Sequence, residues 1–494
     1  MAFATRRAHV SIFASWEGRR YGGRDLLTQK KAKFLEGDLM RHTVVMSASA
    51  SVGLISIFLV DFVDLYFISL LGKKELAAAV GFAGTLLFAA MSVNIGLMIA
   101  MGALGARRIG AGDEEEARRI ATSVMALGGA IGIVIAAAYF IYAPQLLELI
   151  GASGETRDLA ARYMRIIAPV MPISVFAMIG SGLLRAHGDA RRAMNTTLSA
   201  GIVNAILDPI LIFGLGLGLD GAAYASAAAR VAMFLTAIYP ILKHYGGFAP
   251  FHIARFVRDL TPIFAIAGPA ILTNVATPIG AGIVTRALAP YGDAVVAGFA
   301  VISRLTPLAF CVLFALSGAV GPIIGQNFGA NQYDRVRQTL IKALQFAGAY
   351  TLIAWAILFF ASGYINTAFG LDGEGGRLVF WFAAMVAPLF FFNGALFVSN
   401  AAFNNLNRPI WSTFLNWGRN TIGIAPFVWV GADLFGAPGV IIGQALGGIA
   451  FALLGVWLAF RLIDAFESGR ADPEKGWKIR IFRPNTPSPY ADSE

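Results

Sequence analysis

The segments GAGDEEEAR (residues 110–118) and GANQYDRVR (residues 329–337) each follow a long apolar run, one in each half of the chain. Both begin with Gly-Ala and end in Arg. Two further matches occur at nearly the same separation along the chain. These are Gly81, Phe82 and Ala83 with Gly298, Phe299 and Ala300, and Gly221 with Gly439. Three separate anchors at nearly one offset predict that the chain is built from two repeats.

Composition places both repeats in a lipid bilayer. The 494 residues are 57% hydrophobic and 14% charged, whereas a soluble protein carries about 25% charged residues. The apolar residues gather in runs of roughly 20 or more, the length that a helix needs to cross about 30 Å of hydrocarbon. Strand-like alternation is absent from the sequence, which argues against a barrel. We therefore predict an all-α polytopic membrane protein with twelve transmembrane helices, six in each of two pseudo-symmetric bundles.

The breaks between apolar runs predict the domain organisation. A basic tail is followed by an N-lobe of six spans, an amphipathic connector, a C-lobe of six spans and a second tail. The predicted boundaries are 1–42, 43–243, 244–260, 261–460 and 461–494. Six spans per repeat give both lobes the same orientation, which is one plan of transporters that rock around a central cavity.

The distribution of basic residues predicts the orientation of the protein in the membrane. Of the 39 Lys and Arg residues, 28 lie in the two tails and in the loops on their side of the membrane, and seven lie in the opposite loops. This asymmetry predicts that both tails are cytoplasmic and that the protein spans the cytoplasmic (inner) membrane. Topology thereby accounts for the net charge of +10, so we predict no nucleic-acid partner.

Three acids lie deep inside apolar spans: Asp61 and Asp64 in span 1, and Asp208 in span 5. Ionisable groups in hydrocarbon cost about 2.5 to 3.5 kcal/mol each and usually serve function. Asp61 and Asp64 share one helix face, as do Asn204 and Asp208. Counted from the ends of their spans, Asp64 and Asp208 both lie roughly 12 to 14 Å inside. If the two faces meet, four polar side chains line one pocket.

Burial and like-charge crowding in such a pocket favour protonation, so at least one acid is expected to bind and release a proton. The same oxygens suit a sodium ion, which leaves the coupling ion open. The alternative is a purely structural role, in which these acids form ion pairs with Arg230 or Arg304. At the repeat offset the C-lobe carries Val284, Ile422 and Pro426 instead, so a purely structural need common to both lobes is disfavoured.

At this point the sequence resembles the multidrug and toxic compound extrusion (MATE) transporters over most of residues 43–460. The segments that carry the resemblance are VDLYFISLLG (63–72), GARRIGAGDEEEARR (105–119), LLRAHGDARRAMNTTLSAGIVNAILDPILIFGLGLGLDGAA (183–223) and GPIIGQNFGANQYDRVR (321–337). The resemblance implies that Asp64 is a coupling residue, that Asn204 and Asp208 form the polar pair of span 5, and that Tyr163 of span 4 bonds into this cluster.

Two departures from the family pattern refine this expectation. Span 7 offers Asn274 and Thr277 but no Glu, and span 10 offers Asn393, so the C-lobe acids of the NorM-like branch are missing. This favours coupling in the first lobe, as in the DinF-like type, and makes sodium less favoured than a proton. Span 1 lacks a proline, and Gly53 is the residue that could loosen it.

The resemblance implies a cation-coupled antiporter that exports bulky amphipathic compounds, often cationic, by alternating access of the two lobes. We expect a monomer in the bilayer without cofactor or resident metal, since the histidines are scattered without metal-ligand spacing. No nucleophile and base set is visible, so we expect no enzymatic activity. The alternative is a lipid-linked oligosaccharide flippase of the same superfamily, which would use a cationic cavity where this sequence predicts an acidic one.

Overall fold

The computed structural model describes residues 32–471, and within this range every regular element is helical. The first and last parts of the two predicted tails, residues 1–31 and 472–494, lie outside the described residues. The first six spans are Leu39–Ser69, Lys74–Gly110, Glu114–Leu149, Gly154–Ala186, Ala190–Gly214 and Leu219–His244. Span 1 is a single continuous helix, and it begins four residues before the predicted boundary at residue 43.

The second half completes the predicted number of spans. Its helical segments are Ile253–Tyr291, Asp293–Ala309, Cys311–Gly329, Tyr333–Ala368, Gly373–Asn405 and Ile410–Glu467. The second and third of these form span 8, which is interrupted at Phe310. The last contains two spans, because Gly436 has a φ of +64° and breaks the helix shortly before Pro438. The described residues thus form twelve spans, and the all-helical membrane fold is confirmed.

Aspartates start the odd-numbered spans of the first half. Asp38, Asp113 and Asp189 precede spans 1, 3 and 5, and each carboxylate accepts a hydrogen bond from the backbone N–H three residues later. An N-cap of this kind satisfies a backbone donor that has no partner within the helix. All three caps lie on the side where the described chain begins and ends, which we call the tail side.

The two lobes meet in a reciprocal contact on the tail side. A Cβ atom at Gly110 of span 2 would overlap the carbonyl of Gln326, and a Cβ atom at Gly329 of span 8 would overlap the carbonyl of Arg107. The sequence repeat relates Gly110 to Gly329 and Arg107 to Gln326, so the two halves of this contact are equivalent. Only glycine lets two helix backbones approach this closely. Spans 2 and 8 therefore close the molecule on its tail side.

A short turn before span 1 adds to this closure. Phe34, in the turn Lys33–Leu35, is buried against Ala190 of the N-lobe and against Ala319 and Ile323 of the C-lobe. Its backbone N–H donates to Gln326 Oε1 at 2.8 Å, and its carbonyl accepts from Arg335 Nη2 at 2.9 Å. The end of the predicted basic tail is thus a structured element that contacts both lobes.

The connector is bound to the N-lobe by a buried ion pair. Arg119 of span 3 lies 2.5 Å from the carboxylate of Asp259 and 2.5 Å from that of Glu116. Ser123 Oγ also donates to Asp259 at 2.6 Å. The predicted interfacial segment 244–260 differs in one respect, because the helix of span 7 already begins at Ile253 and Asp259 is 4% exposed.

Candidate functional site

Asn204 and Asp208 lie one helical turn apart in span 5, and both are buried, at 3% and 0% exposure. Pro209 follows directly, and the span then continues as one π-helical turn, Ile210–Gly214. Proline has no backbone N–H to donate, which locally frees the hydrogen-bond ladder of a helix. Single π turns inside helices are frequent at functional sites. The irregular backbone therefore directly follows the buried carboxyl group.

The carboxyl group of Asp208 lies within interaction range of the side chains of Asp64 and Asn204. Neither of its oxygens reaches hydrogen-bond geometry with a group that the structure describes, and the same holds for Asn204 Nδ2. Buried polar atoms in proteins are nearly always hydrogen-bonded, so such atoms call for a specific explanation. Asp64 is half-buried. The two carboxyl groups that the sequence predicts to meet are brought together here.

Tight packing of spans 1 and 5 sets this alignment. A Cβ atom at Gly201 would overlap Ser56 Oγ, and one at Gly53 would overlap Thr197 Oγ1. Counting from the Ser56–Gly201 contact, Asp64 lies eight residues further along span 1 and Asp208 seven further along span 5. Both distances are about two helical turns. Gly53 therefore serves close helix packing, whereas the sequence suggested it only as a point of flexibility.

Tyr163 joins the cluster from span 4. It is 6% exposed, and its hydroxyl interacts with Ser226 and with the charge of Arg230, both on span 6. The charges of Asp64 and Asp208 also act on it. Arg230 Nη1 donates to the carbonyl of Ser226 at 2.9 Å. Tyr163 therefore lies in the predicted cluster.

The remaining residues are one predicted site residue, one that the sequence did not reveal and the two arginines. The side chain of Asp61 lies outside the described part of the structure. Ser226 was missed, because a serine within an alanine-rich stretch gives no signal in the sequence. Of the two arginines considered as structural partners, Arg230 lies beside Tyr163, whereas Arg304 is an exposed residue of span 8 in the other lobe.

The C-lobe holds amides instead of acids. Asn400, Asn416 and Asn420 are buried, Asn416 Nδ2 donates to Asn400 Oδ1 at 3.1 Å, and Asn420 Nδ2 donates to the carbonyl of Asn416 at 2.8 Å. Asn274 donates to the carbonyl of Ala270 in its own helix. This cluster was also missed, although a signal existed: Asn416 and Asn420 repeat the i, i+4 spacing of the polar pair in span 5.

The described residues contain no group of three or more His, Cys, Asp or Glu side chains placed to hold a metal ion. The side chains that the structure brings together are carboxyl, amide and hydroxyl groups from spans 1, 4, 5 and 6. These groups suit the binding of a proton or of a hard cation with oxygen ligands.

Twelve spans in two repeated lobes, with carboxyl groups buried between helices, define a multi-pass membrane transporter. The chain belongs to the MatE family, whose profile matches residues 50–210 and 269–430. Members of this family are transporters and not enzymes. The family resemblance seen in the sequence is thus confirmed.

Relatives and solved structures agree with this assignment. A protein of Shewanella oneidensis named FAD transporter is 28% identical, over 89% of this chain and 98% of that protein. The multidrug export protein MepA of Staphylococcus aureus is 23% identical, over 87% of this chain and 96% of that protein. The crystal structure of a mutant of the Vibrio cholerae MATE transporter VcmN has a TM-score of 0.82 at 25% identity, covering 87% of this chain and 97% of that chain.

Proposed function

We propose that this protein is a proton-coupled antiporter that exports bulky amphipathic compounds, many of them cationic, across the cytoplasmic membrane. Family membership supports efflux, and the name of the staphylococcal relative is that of a multidrug exporter. The FAD transporter among the relatives adds flavin dinucleotides to the compounds to be tested. The proposed arrangement is a monomer in the bilayer with the tail side facing the cytoplasm.

The observation that carries this proposal is the fully buried carboxyl group of Asp208 beside Asp64. An ionised carboxylate buried without hydrogen bonds is costly, and a second carboxylate nearby adds repulsion. A proton shared by the pair relieves both costs. In this proposal Asp64 and Asp208 exchange the proton, while Asn204 and Tyr163 orient them.

Antiport follows when a proton and a cationic compound compete for the same acids. Binding of one then excludes the other, so the proton and the compound cross the membrane in opposite directions as the lobes alternate. The tail-closed form described above corresponds to release on the outer side. For the site to open toward the cytoplasm, Gly110 has to separate from Gln326 and Gly329 from Arg107. Sodium is the second candidate ion, because the same oxygens can coordinate it.

The test is uptake of ethidium into inside-out vesicles under an imposed proton gradient. We expect Asp208→Asn and Asp64→Asn to lower the initial rate at least about tenfold at normal expression, because an amide cannot exchange a proton. Asp293→Asn, an exposed acid at the start of span 8, is the matched control and should transport normally. Unchanged uptake in both site variants would overturn the proposal. A sodium gradient that drives uptake without a proton gradient would assign the coupling to sodium.

A further inference from the structure

We propose that Arg185 binds an anionic group, a phosphate or a carboxylate, on the compounds that this protein carries. This inference rests on the proposed export function and deepens it, since it extends the transported class from amphipathic cations to amphipathic anions. Arg185 is the penultimate residue of the helix Met171–Ala186, which forms the second part of span 4.

The side chain of Arg185 points into the interface between the lobes. Its Nη1 lies 3.8 Å from Met98 Sδ of span 2, and 2.9 Å from the place that a Cβ atom would occupy at Gly318 of span 8. The guanidinium lines a small cavity together with Met46, Ala50, Ala190, Ala193, Met194 and Ala319. Span 8 belongs to the C-lobe, so Arg185 of the N-lobe faces the opposite lobe.

The described surroundings of Arg185 hold no counter-charge. Among the described residues no carboxylate lies within 4.0 Å of it, and its one side-chain hydrogen bond goes to a thioether, which is a weak acceptor. Three other arginines near the tail side are paired with carboxylates, Arg119 with Asp259, Arg192 with Asp189, and Arg337 with Asp464, whereas Arg107 donates to the backbone carbonyl of Ala103. Ionisable residues within membrane helices are rare, face the bundle interior or a cavity, and mark substrate or ion pathways. A transported anion supplies the missing partner.

The level of Arg185 separates it from the acids. Met98 lies twelve residues before Gly110 and Gly318 eleven before Gly329, so the guanidinium lies roughly 17 Å inside the tail-side contact of spans 2 and 8. Tyr163, which marks the level of the acidic pocket, precedes Arg185 by roughly six helical turns in span 4. Two sites of opposite charge therefore lie at different depths, and an anion on Arg185 does not have to approach Asp64 or Asp208.

The lining suits an amphipathic molecule. Met46, Met98 and Met194 surround the guanidinium with flexible apolar side chains, which adapt to ligands of different shape. Gly318 leaves the space that the guanidinium occupies in the tail-closed form. When spans 2 and 8 separate, this face of the C-lobe moves away, and Arg185 becomes accessible from the tail side. An anionic head on Arg185 and an apolar body against the methionines would fill the opened cleft.

The experiment uses the purified full chain in proteoliposomes with three probes. FAD carries two phosphates on an amphipathic molecule, ethidium is a permanent cation, and a fluorescent phospholipid reports movement of a lipid phosphate between leaflets. The variants are Arg185→Gln and Arg185→Lys. Arg191→Gln is the matched control, because Arg191 is an exposed residue at the start of span 5.

We expect Arg185→Gln to raise the KM for FAD by about 10- to 100-fold, the effect of losing a hydrogen bond to a charged group. Arg185→Lys should retain part of the affinity, because it keeps the charge but loses the planar fork. Ethidium transport should stay within about twofold in both variants and in the control. Phospholipid movement that depends on Arg185 would support the anion site and assign its ligand to a lipid headgroup.

Two results would overturn the inference. One is an unchanged KM for every anionic probe in both Arg185 variants. The other is an equal loss of FAD and ethidium transport, since that pattern reports a damaged interface between the lobes. The acid variants separate this test from that of the proposed function. If Asp208→Asn and Asp64→Asn remain active while Arg185→Gln loses FAD alone, the anion site stands and the coupling proposal fails.

Discussion

At the residue scale, the carboxyl group of Asp208 is the feature with the clearest energetic consequence. It is fully buried and faces Asp64. No described residue is placed to donate a hydrogen bond to either of its oxygens. Arg230 acts on Tyr163 and is bonded to Ser226. In the proposed function, the neutral form of Asp208 is the one that holds the transported proton, and burial beside a second carboxyl group supports that form.

Asp208→Asn is therefore expected to leave the stability of the purified protein unchanged or higher, although transport is lost. The amide has nearly the same shape as the acid and cannot ionise, so a desolvation cost disappears. Thermal unfolding in detergent measures this, with Asp293→Asn as the reference for an exposed acid. A loss of more than about 2 kcal/mol would show instead that Asp208 is an ionised partner in a buried ion pair.

At the scale of elements, the ion pair between Arg119 of span 3 and Asp259 of the connector has unequal partners. Replacing one partner should therefore destabilise the protein more than replacing the other. Arg119 contacts two carboxylates, whereas Asp259 has Arg119 and Ser123 as its side-chain partners. After Asp259→Asn, Arg119 keeps Glu116. After Arg119→Gln, a carboxylate that is 4% exposed loses its counter-charge.

We expect Arg119→Gln to destabilise the protein by about 3–5 kcal/mol and Asp259→Asn by about 1–3 kcal/mol. The free energy of unfolding of the purified variants measures the difference. Arg118→Gln, next to Arg119 but with a single hydrogen bond to the carbonyl of Gly246, is the control and should cost less than about 1 kcal/mol. The reverse order for the two pair variants would contradict the asymmetry.

His187, in the loop between spans 4 and 5, should make the stability of the protein depend on pH. Burial lowers the pKa of His187 below its ordinary value of 6.5, against the opposing effects of the Leu183 carbonyl, Glu114 and Asp189. The unfolded chain therefore takes up a proton at a higher pH than the folded protein does. The contribution of neutral His187 to stability is complete above pH 6.5 and is lost as the pH falls through the folded pKa.

His187→Phe should remove this part of the pH dependence. The ring of His187 packs 4.2 Å from that of Tyr245, and phenylalanine keeps an aromatic contact without a titrating group. We expect the melting temperature of the wild type to fall more steeply between about pH 6.5 and pH 5 than that of the variant. Parallel curves for the two proteins would show that His187 does not contribute.

At the scale of the whole molecule, the close approach of spans 2 and 8 controls the closure of the tail side. A side chain at Gly110 overlaps the backbone of Gln326, whereas Gly81 of the same span has open space around it. Gly110→Ala should therefore shift the population toward the tail-open form, and Gly81→Ala should not. Hydrogen exchange measures this. We expect faster exchange in residues 32–38 and 323–330 of the Gly110 variant alone.

Equal exchange in the two glycine variants would show that closure does not depend on this backbone contact. Faster exchange confined to the C-lobe would indicate local damage, because Phe34 and its neighbours report the contact between the lobes.

The sequence by itself determined the class of the molecule. The length of the apolar runs fixes the number of spans, because a helix of that length has to cross the hydrocarbon and satisfy its own backbone. The repeat that relates Gly110 to Gly329 in the sequence reappears as the reciprocal contact of Gly110 with Gln326 and of Gly329 with Arg107. Asp64, Asn204 and Asp208 could be named because buried polar residues stand out against an apolar background.

Only the tertiary structure decided which side chains meet and which are left without a partner. Tyr163 lies beside Ser226 and Arg230, Phe34 is buried between the lobes, and Arg185 faces Gly318 with no counter-charge among the described residues. Each of these contacts joins segments that are distant in the chain. Local composition cannot encode them, because they depend on the rotation and depth of each helix, which packing at sites such as Ser56 and Gly201 fixes in three dimensions.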